Sequence, residues 1–227
     1  MFCDRCGSAV LASAAQCPRC ATPLAAVAIV PVTVPRGSVA WISDGWNAVT
    51  ANFWIFVLLG ALYLAAGSTV PVLVQGPVAL GLQWAALRQV TVGRADINDI
   101  ALGFNQFPNA VLVCLFTSLI IGFASILLII PGLLAATLLQ FPYLLVIDRK
   151  LDFWAAIKES FNVSQRHFGT LLGFFLLQLG VIIGGALLCG FGLLVAIPVC
   201  FAATAAAYIE LFGLREETKA SVAAGVR

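Results

Sequence analysis

Charged positions in this chain are rare and clustered, and the gaps between the clusters set its architecture. No Asp, Glu, Lys or Arg falls between Asp44 and Arg88, between Asp99 and Asp148, or between Arg166 and Glu210, where His167 stands at the boundary. Each gap exceeds forty residues. One membrane-crossing helix takes about 20 apolar residues, so each gap holds two crossings and a tight turn. Turn-forming residues stand in mid-gap: Gly67, Ser68, Pro71, Gly76 and Pro77 in the first, Pro131-Gly132 in the second, Gly190 and Gly192 in the third. Pro and Gly are tolerated inside membrane helices, but combined with the lengths they favour three helical hairpins, six spans in all. The competing arrangement, three long tilted helices, needs helices about twice the thickness of the bilayer core.

The hairpins read as copies. Before each lies a short amphipathic segment that ends in Phe: Trp46 to Phe53, Ile100 to Phe107, and Phe161 to Phe168. A large apolar residue stands seven positions before each Phe, an acid (Asp44, Asp99 or Glu159) just ahead of it, and a polar Asn52, Gln106 or His167 immediately before the Phe. Twenty-four residues after these Phe positions come Pro77, Pro131 and Gly192. The chain is therefore expected to be an all-α integral membrane protein of three repeated units, each an interfacial helix plus a hairpin. Trp41, Trp46, Phe53, Trp54, Phe104, Phe107, Phe153, Trp154, Phe161 and Phe168 are expected at headgroup level, the zone aromatic side chains favour.

Composition agrees. Hydrophobic residues make up 62% of the 227 and charged residues 10%, against about 45–50% and about 25% in soluble domains. So little polar surface cannot cover a soluble fold of this size. A net charge of +2 excludes a nucleic-acid binder driven by a strong positive field.

The basic residues are one-sided. Arg36, Arg88, Arg94, Arg149, Lys150, Lys158, Arg166, Arg215, Lys219 and Arg227 lie before, between or after the hairpins, and the three hairpin turns hold no Lys or Arg. The positive-inside rule then places both termini in the cytoplasm. No cleavable signal peptide is visible in the first twenty residues. The apolar stretch from Ala25 to Val34 is short and broken by Pro31, so it reads as a linker. The expected domains are 1–22, a metal ribbon; 23–40, a flexible linker; 41–213, the membrane domain; and 214–227, a cytoplasmic tail.

Cys3-Asp4-Arg5-Cys6 and Cys17-Pro18-Arg19-Cys20 are two CxxC pairs ten residues apart. Two residues between thiolates let both point at one ion, and four soft ligands in two knuckles suit tetrahedral Zn²⁺. Gly7 permits the tight turn after the first pair. An iron site or a redox dithiol pair is the alternative; disulfides do not suit a cytoplasmic segment. About twenty residues cannot bury a core, so the metal has to supply the folding energy. A closed four-thiolate site is structural and leaves no open position for catalysis. The ribbon has two basic residues, Arg5 and Arg19, beside Asp4, which is too little for phosphate contacts and points to protein docking. Cys114, Cys189 and Cys200 lie unpaired in apolar runs and read as packing residues.

Intramembrane ionisable residues are the usual sign of function in such proteins, and few are present. Glu210 is expected near the cytoplasmic end of the last span, reaching headgroups. His167 shares its register with Asn52 and Gln106. Asp96 and Asp99, and Asp148 and Asp152, sit beside Arg94, Arg149 and Lys150 as a solvated interfacial cluster. Gln75, Gln83, Gln140 and Gln178 are placed to link helices by hydrogen bonds, and Gly180, Gly184 and Gly185 to bring helices close. The run Ala202 to Ala207 forms a second smooth face.

The CxxCG and CPxC pattern resembles the short zinc ribbons that begin many bacterial membrane proteins, with Ala21 where a second Gly is common. Ile129-Ile130-Pro131-Gly132, Phe141-Pro142-Tyr143, Asp148 and Ala155 to Ser160 are similar to a broad group of bacterial integral membrane proteins. That group includes the membrane domain attached to some glycerophosphodiester phosphodiesterases. The resemblance covers about residues 41–213 and implies a helical membrane module. It does not carry over the phosphodiesterase chemistry, which belongs to a separate soluble barrel with metal-binding acids and histidines. The expectation is a non-enzymatic scaffold or regulator of the bacterial inner membrane, its cytoplasmic ribbon docking a protein partner. The alternative is a transporter, channel or lipid-handling protein with a path at the centre of the repeats.

Overall fold

The structure, a computed structural model, describes residues 36–69, 73–188 and 191–224. Among the described residues it is all-helical. The order is α1 (Ser38–Ala51), α2 (Phe53–Thr69), α3 (Gln75–Val92), α4 (Asp99–Asn105), α5 (Phe107–Leu127), α6 (Ile129–Leu138), α7 (Pro142–Arg149), α8 (Phe153–Arg166), α9 (Phe168–Leu187), α10 (Leu193–Phe212) and α11 (Glu216–Ala224). Four stretches are long and apolar enough to cross a bilayer: Phe107–Ile126, Ile130–Arg149, Phe168–Leu187 and Leu193–Phe212. The pair α1 and α2 also qualifies when taken together, although it bends by 104° at their junction. α3 is not among the four. It carries Gln75, Gln83, Arg88 and Gln89, and twelve of its 18 residues are buried. A helix wrapped by its neighbours has no need of an apolar exterior.

Three junctions are built alike. Asn52 (φ −132°, ψ 50°), Gln106 (φ −115°, ψ 37°) and His167 (φ −116°, ψ 26°) each end one helix, and a Phe starts the next. The break is a single residue because its carbonyl already belongs to the following helix. Asn52 accepts from the Phe56 N–H at 3.2 Å, Gln106 from Ala110 at 2.9 Å and His167 from Leu171 at 3.0 Å. The helices before the breaks bury matching positions, eight and four residues ahead of the Phe: Gly45 and Val49, Asp99 and Gly103, Ser160 and Ser164.

α10 lies at the centre, packed against α1, α2, α3 and α9. Its stretch Ala202 to Tyr208 is wholly buried. Small side chains allow this. At Gly45 of α1, a Cβ would stand 2.7 Å from both the Val199 carbonyl oxygen and the Ala203 nitrogen, so the two backbones touch there. α3 and α4 cross as closely, since a Cβ on Gly81 would meet the Ile100 backbone at 2.6 Å.

The structure moves several expected features. Trp41 is fully buried and packs edge-on against Phe174, 5.2 Å between rings, so it belongs to the core and not to the headgroup belt. Trp46, Trp54, Phe104, Trp154 and Phe161 are exposed. The second hairpin turns at Leu128, leaving Pro131 and Gly132 inside the first turn of α6, where Pro is accommodated. Among the described residues Gly180 and Gly184 have nothing within 4 Å of a Cβ position, whereas Gly185 packs against Gly192 and Ala196. Helix α1 starts at Ser38, inside the expected linker, and the expected tail contains α11, whose Thr218 and Val222 are buried.

Candidate functional site

Cys3, Cys6, Cys17 and Cys20 lie outside the described residues, as does Cys189. Cys114 and Cys200 are buried free thiols, the packing role expected of them. Among the described residues no group of three or more His, Cys, Asp or Glu is placed to hold a metal.

What the structure brings together is a set of three carboxylate joints at the ends of long helices. Glu210, near the end of α10, accepts from the Trp41 indole N–H and the Arg36 guanidinium, each at 2.9 Å, and from the Arg36 backbone N–H. Arg36 also pairs with Asp44 at 2.8 Å. The hydrogen bond to Glu210 holds the Arg36 guanidinium above its usual pKa, so this cation stays charged at any working pH. Glu210 is thus no free headgroup-reaching acid. It fixes the start of α1 to the end of α10.

Asp99 forms the second joint. Its side chain is 4% exposed and receives Arg88 at 2.7 Å and the Asp96 backbone N–H at 2.9 Å. Arg88 is the partner that makes a buried acid at this position tolerable. Asn52 supports the same end of α3 by donating to the Gln89 side-chain carbonyl at 2.7 Å.

Asp148 forms the third. It is 1% exposed and accepts from the Tyr208 hydroxyl at 2.8 Å and the Arg215 backbone N–H at 3.2 Å. Its own backbone carbonyl accepts from Thr218 at 3.2 Å, which ties α11 to α7. Arg149 reaches Glu159 and the Phe212 carbonyl, both at 3.4 Å, and lies over the Phe212 ring. Asp99 and Asp148 therefore leave the expected solvated cluster, while Asp96 and Asp152 remain exposed. An exposed carboxylate at either position would keep its hydration; a buried one is stable only because ionic or hydroxyl donors replace the water.

A fourth feature is the break between α6 and α7 at Leu139–Phe141. Pro142 supplies no N–H and so cannot continue the ladder from α6. The Ser160 hydroxyl of α8 repairs the gap. It donates to the Leu138 carbonyl at 2.9 Å and accepts from the Phe141 N–H at 3.4 Å. Gln178 performs the helix-linking expected of the span amides, donating to Thr204 at 2.8 Å and to the Cys200 carbonyl at 3.2 Å. The Gln140 amide, the Gln83 carbonyl oxygen, and the Thr117 and Ser164 hydroxyls have no hydrogen-bond partner among the described residues.

Comparison with known protein families, curated protein sequences and solved structures returns no match. The joints themselves carry the chemistry on view. Each is a carboxylate engaged by a cation, an indole or a hydroxyl from another segment of the chain, and each fixes one short helix to one long one. Sequence reasoning found the acids but missed their partners Trp41, Tyr208 and Thr218. Asp148 and Tyr208 are sixty residues apart, and nothing in local spacing marks such a pair.

Proposed function

We propose that this chain is a non-enzymatic scaffold or regulator of the bacterial inner membrane. It crosses six times in three interfacial-helix-plus-hairpin units, keeps both termini in the cytoplasm, and uses a small N-terminal zinc ribbon to dock a protein partner. The single observation that carries the scaffold reading is the use made of the acids. Glu210, Asp99 and Asp148 are each bound into a joint that locks a short helix to the bundle. Charge spent in this way stiffens a platform.

The threefold unit is supported by the junctions at Asn52, Gln106 and His167, with their similar backbone angles, shared capping bond and following Phe. Six spans follow if α2 and α3 cross as the first hairpin, with α3 shielded at the centre. The donor set Cys3, Cys6, Cys17 and Cys20 fits Zn²⁺ by its chemistry: four soft thiolates in two pairs. Purified protein is expected to carry one zinc per chain, and Cys3→Ser with Cys6→Ser to lose it.

Affinity purification from native membranes tests the docking role. The intact chain is expected to bring down a stoichiometric partner that the Cys3→Ser, Cys6→Ser variant does not. If both forms purify alone, or both retain the partner, docking through the ribbon is wrong and transport or lipid handling by the membrane domain takes its place.

A further inference from the structure

A cavity of about 310 Å³ opens among α3, α4, α7 and α11. Its walls divide by chemistry. Leu80, Trp84, Leu102 and Ile147 are apolar, whereas Lys150 and Glu217 supply one charge of each sign, with Asn105, Gln106, Thr218 and Ser221 beside them. The joints described above do not use Lys150. It has no ion pair or hydrogen bond among the described residues, and it is the one described non-glycine residue with positive φ, at 52°. A left-handed backbone at a lysine carries a cost and marks a position the surrounding structure dictates. Here it caps the C-terminal end of α7 and turns the chain toward α8.

The depth of the cavity is readable from the helices that line it. Lys150 directly follows the last residue of the membrane-crossing stretch Ile130–Arg149, and Gln106 directly precedes the first residue of Phe107–Ile126. Both ends lie where spans meet the bilayer surface. Leu80 and Trp84 stand beside α4, whose Gly103 packs on Pro77 and Gly81 and whose Ile100 packs on Gly81. The cavity therefore sits by the ends of these two spans, with its charged groups beside an apolar wall. Glu217 is 69% exposed and held only by Arg215 at 3.4 Å, an arrangement weak enough to give way to another cation.

We propose that this cavity binds the headgroup of a zwitterionic, amine-bearing phospholipid such as phosphatidylethanolamine. Lys150 takes the phosphate and Glu217 the ammonium, and the wall of Leu80, Trp84, Leu102 and Ile147 takes the start of an acyl chain. One positive and one negative side chain match a headgroup of zero net charge. A purely anionic lipid would leave Glu217 opposed to it.

The test uses the full chain in nanodiscs of equimolar phosphatidylethanolamine, phosphatidylglycerol and phosphatidylcholine, extracted and read by native mass spectrometry. Wild type is expected to retain one phosphatidylethanolamine in preference to the other two. Lys150→Asn, which tolerates the left-handed backbone, and Glu217→Gln each reduce that retention at least fivefold. Glu217→Lys is expected to turn the preference to phosphatidylglycerol, a gain that misfolding cannot mimic. Excess soluble phosphoethanolamine is expected to leave the bound lipid in place, because it lacks the acyl chain. Equal retention of the three lipids by wild type, unchanged retention in the variants, or full displacement by soluble phosphoethanolamine would each overturn the assignment.

Discussion

Helices α9 and α10 are neighbours of 20 residues each, and both are apolar enough to cross a bilayer. Yet 61% of the α10 stretch is buried against 22% of α9. The difference lies in side-chain size. α10 presents Ala202, Ala203, Thr204, Ala205, Ala206 and Ala207, all buried, whereas α9 turns Leu176, Leu179, Ile182, Ile183 and Leu187 outward. In lipid no hydrophobic force separates protein from solvent, so helices associate where small residues let backbones approach and polar groups pair. Total hydropathy tells where a helix crosses, and residue size tells which helix stands at the centre.

Substitutions at the centre and at the rim sharpen this contrast. The largest effect is expected at Arg88→Met, which strands the buried Asp99 carboxylate without its cation. Removing one partner of a buried pair costs about 3–5 kcal/mol, so the variant should lose most of its folded, monodisperse fraction in detergent. A melting curve like that of wild type would show that Asp99 is reached by water. Next comes Gly45→Val, where the added methyls meet the α10 backbone; overpacking of this kind costs about 1–3 kcal/mol, read as a lower melting temperature. Tyr208→Phe removes one donor from buried Asp148 and is expected to cost about 1–3 kcal/mol while loosening α11, visible as faster amide exchange there. The smallest effect is at Ile183→Ala on the outer face of α9, within about 0.5 kcal/mol. A large loss at Ile183 would place a protein surface, not lipid, against that face.

Much of this was legible in the sequence, for particular reasons. The breaks at Asn52, Gln106 and His167 are readable because a polar residue before a Phe recurs at fixed register, and charge gaps give the lengths of the apolar stretches. The central place of α10 is foreshadowed by its alanine run. The fate of Trp41, Asp99 and Asp148 is not, since burial depends on partners brought by other helices. Trp41 looks like any belt aromatic until Glu210, 169 residues later, is seen to accept its N–H. The repair of the α6–α7 break by Ser160 is equally non-local, although Pro142 alone signals that a break is needed. Gly180 and Gly184 show the converse: a small-residue motif with nothing packed on it among the described residues.

The central claim is that each charge-free stretch crosses the membrane twice, so that all charged helix ends share one side. Side-specific reporters inserted at Pro131, Lys150 and Arg215 test it most directly. The account predicts that the Pro131 reporter reads outside the cytoplasm and the Lys150 and Arg215 reporters inside. A Pro131 reporter that reads on the same side as Lys150 would contradict it.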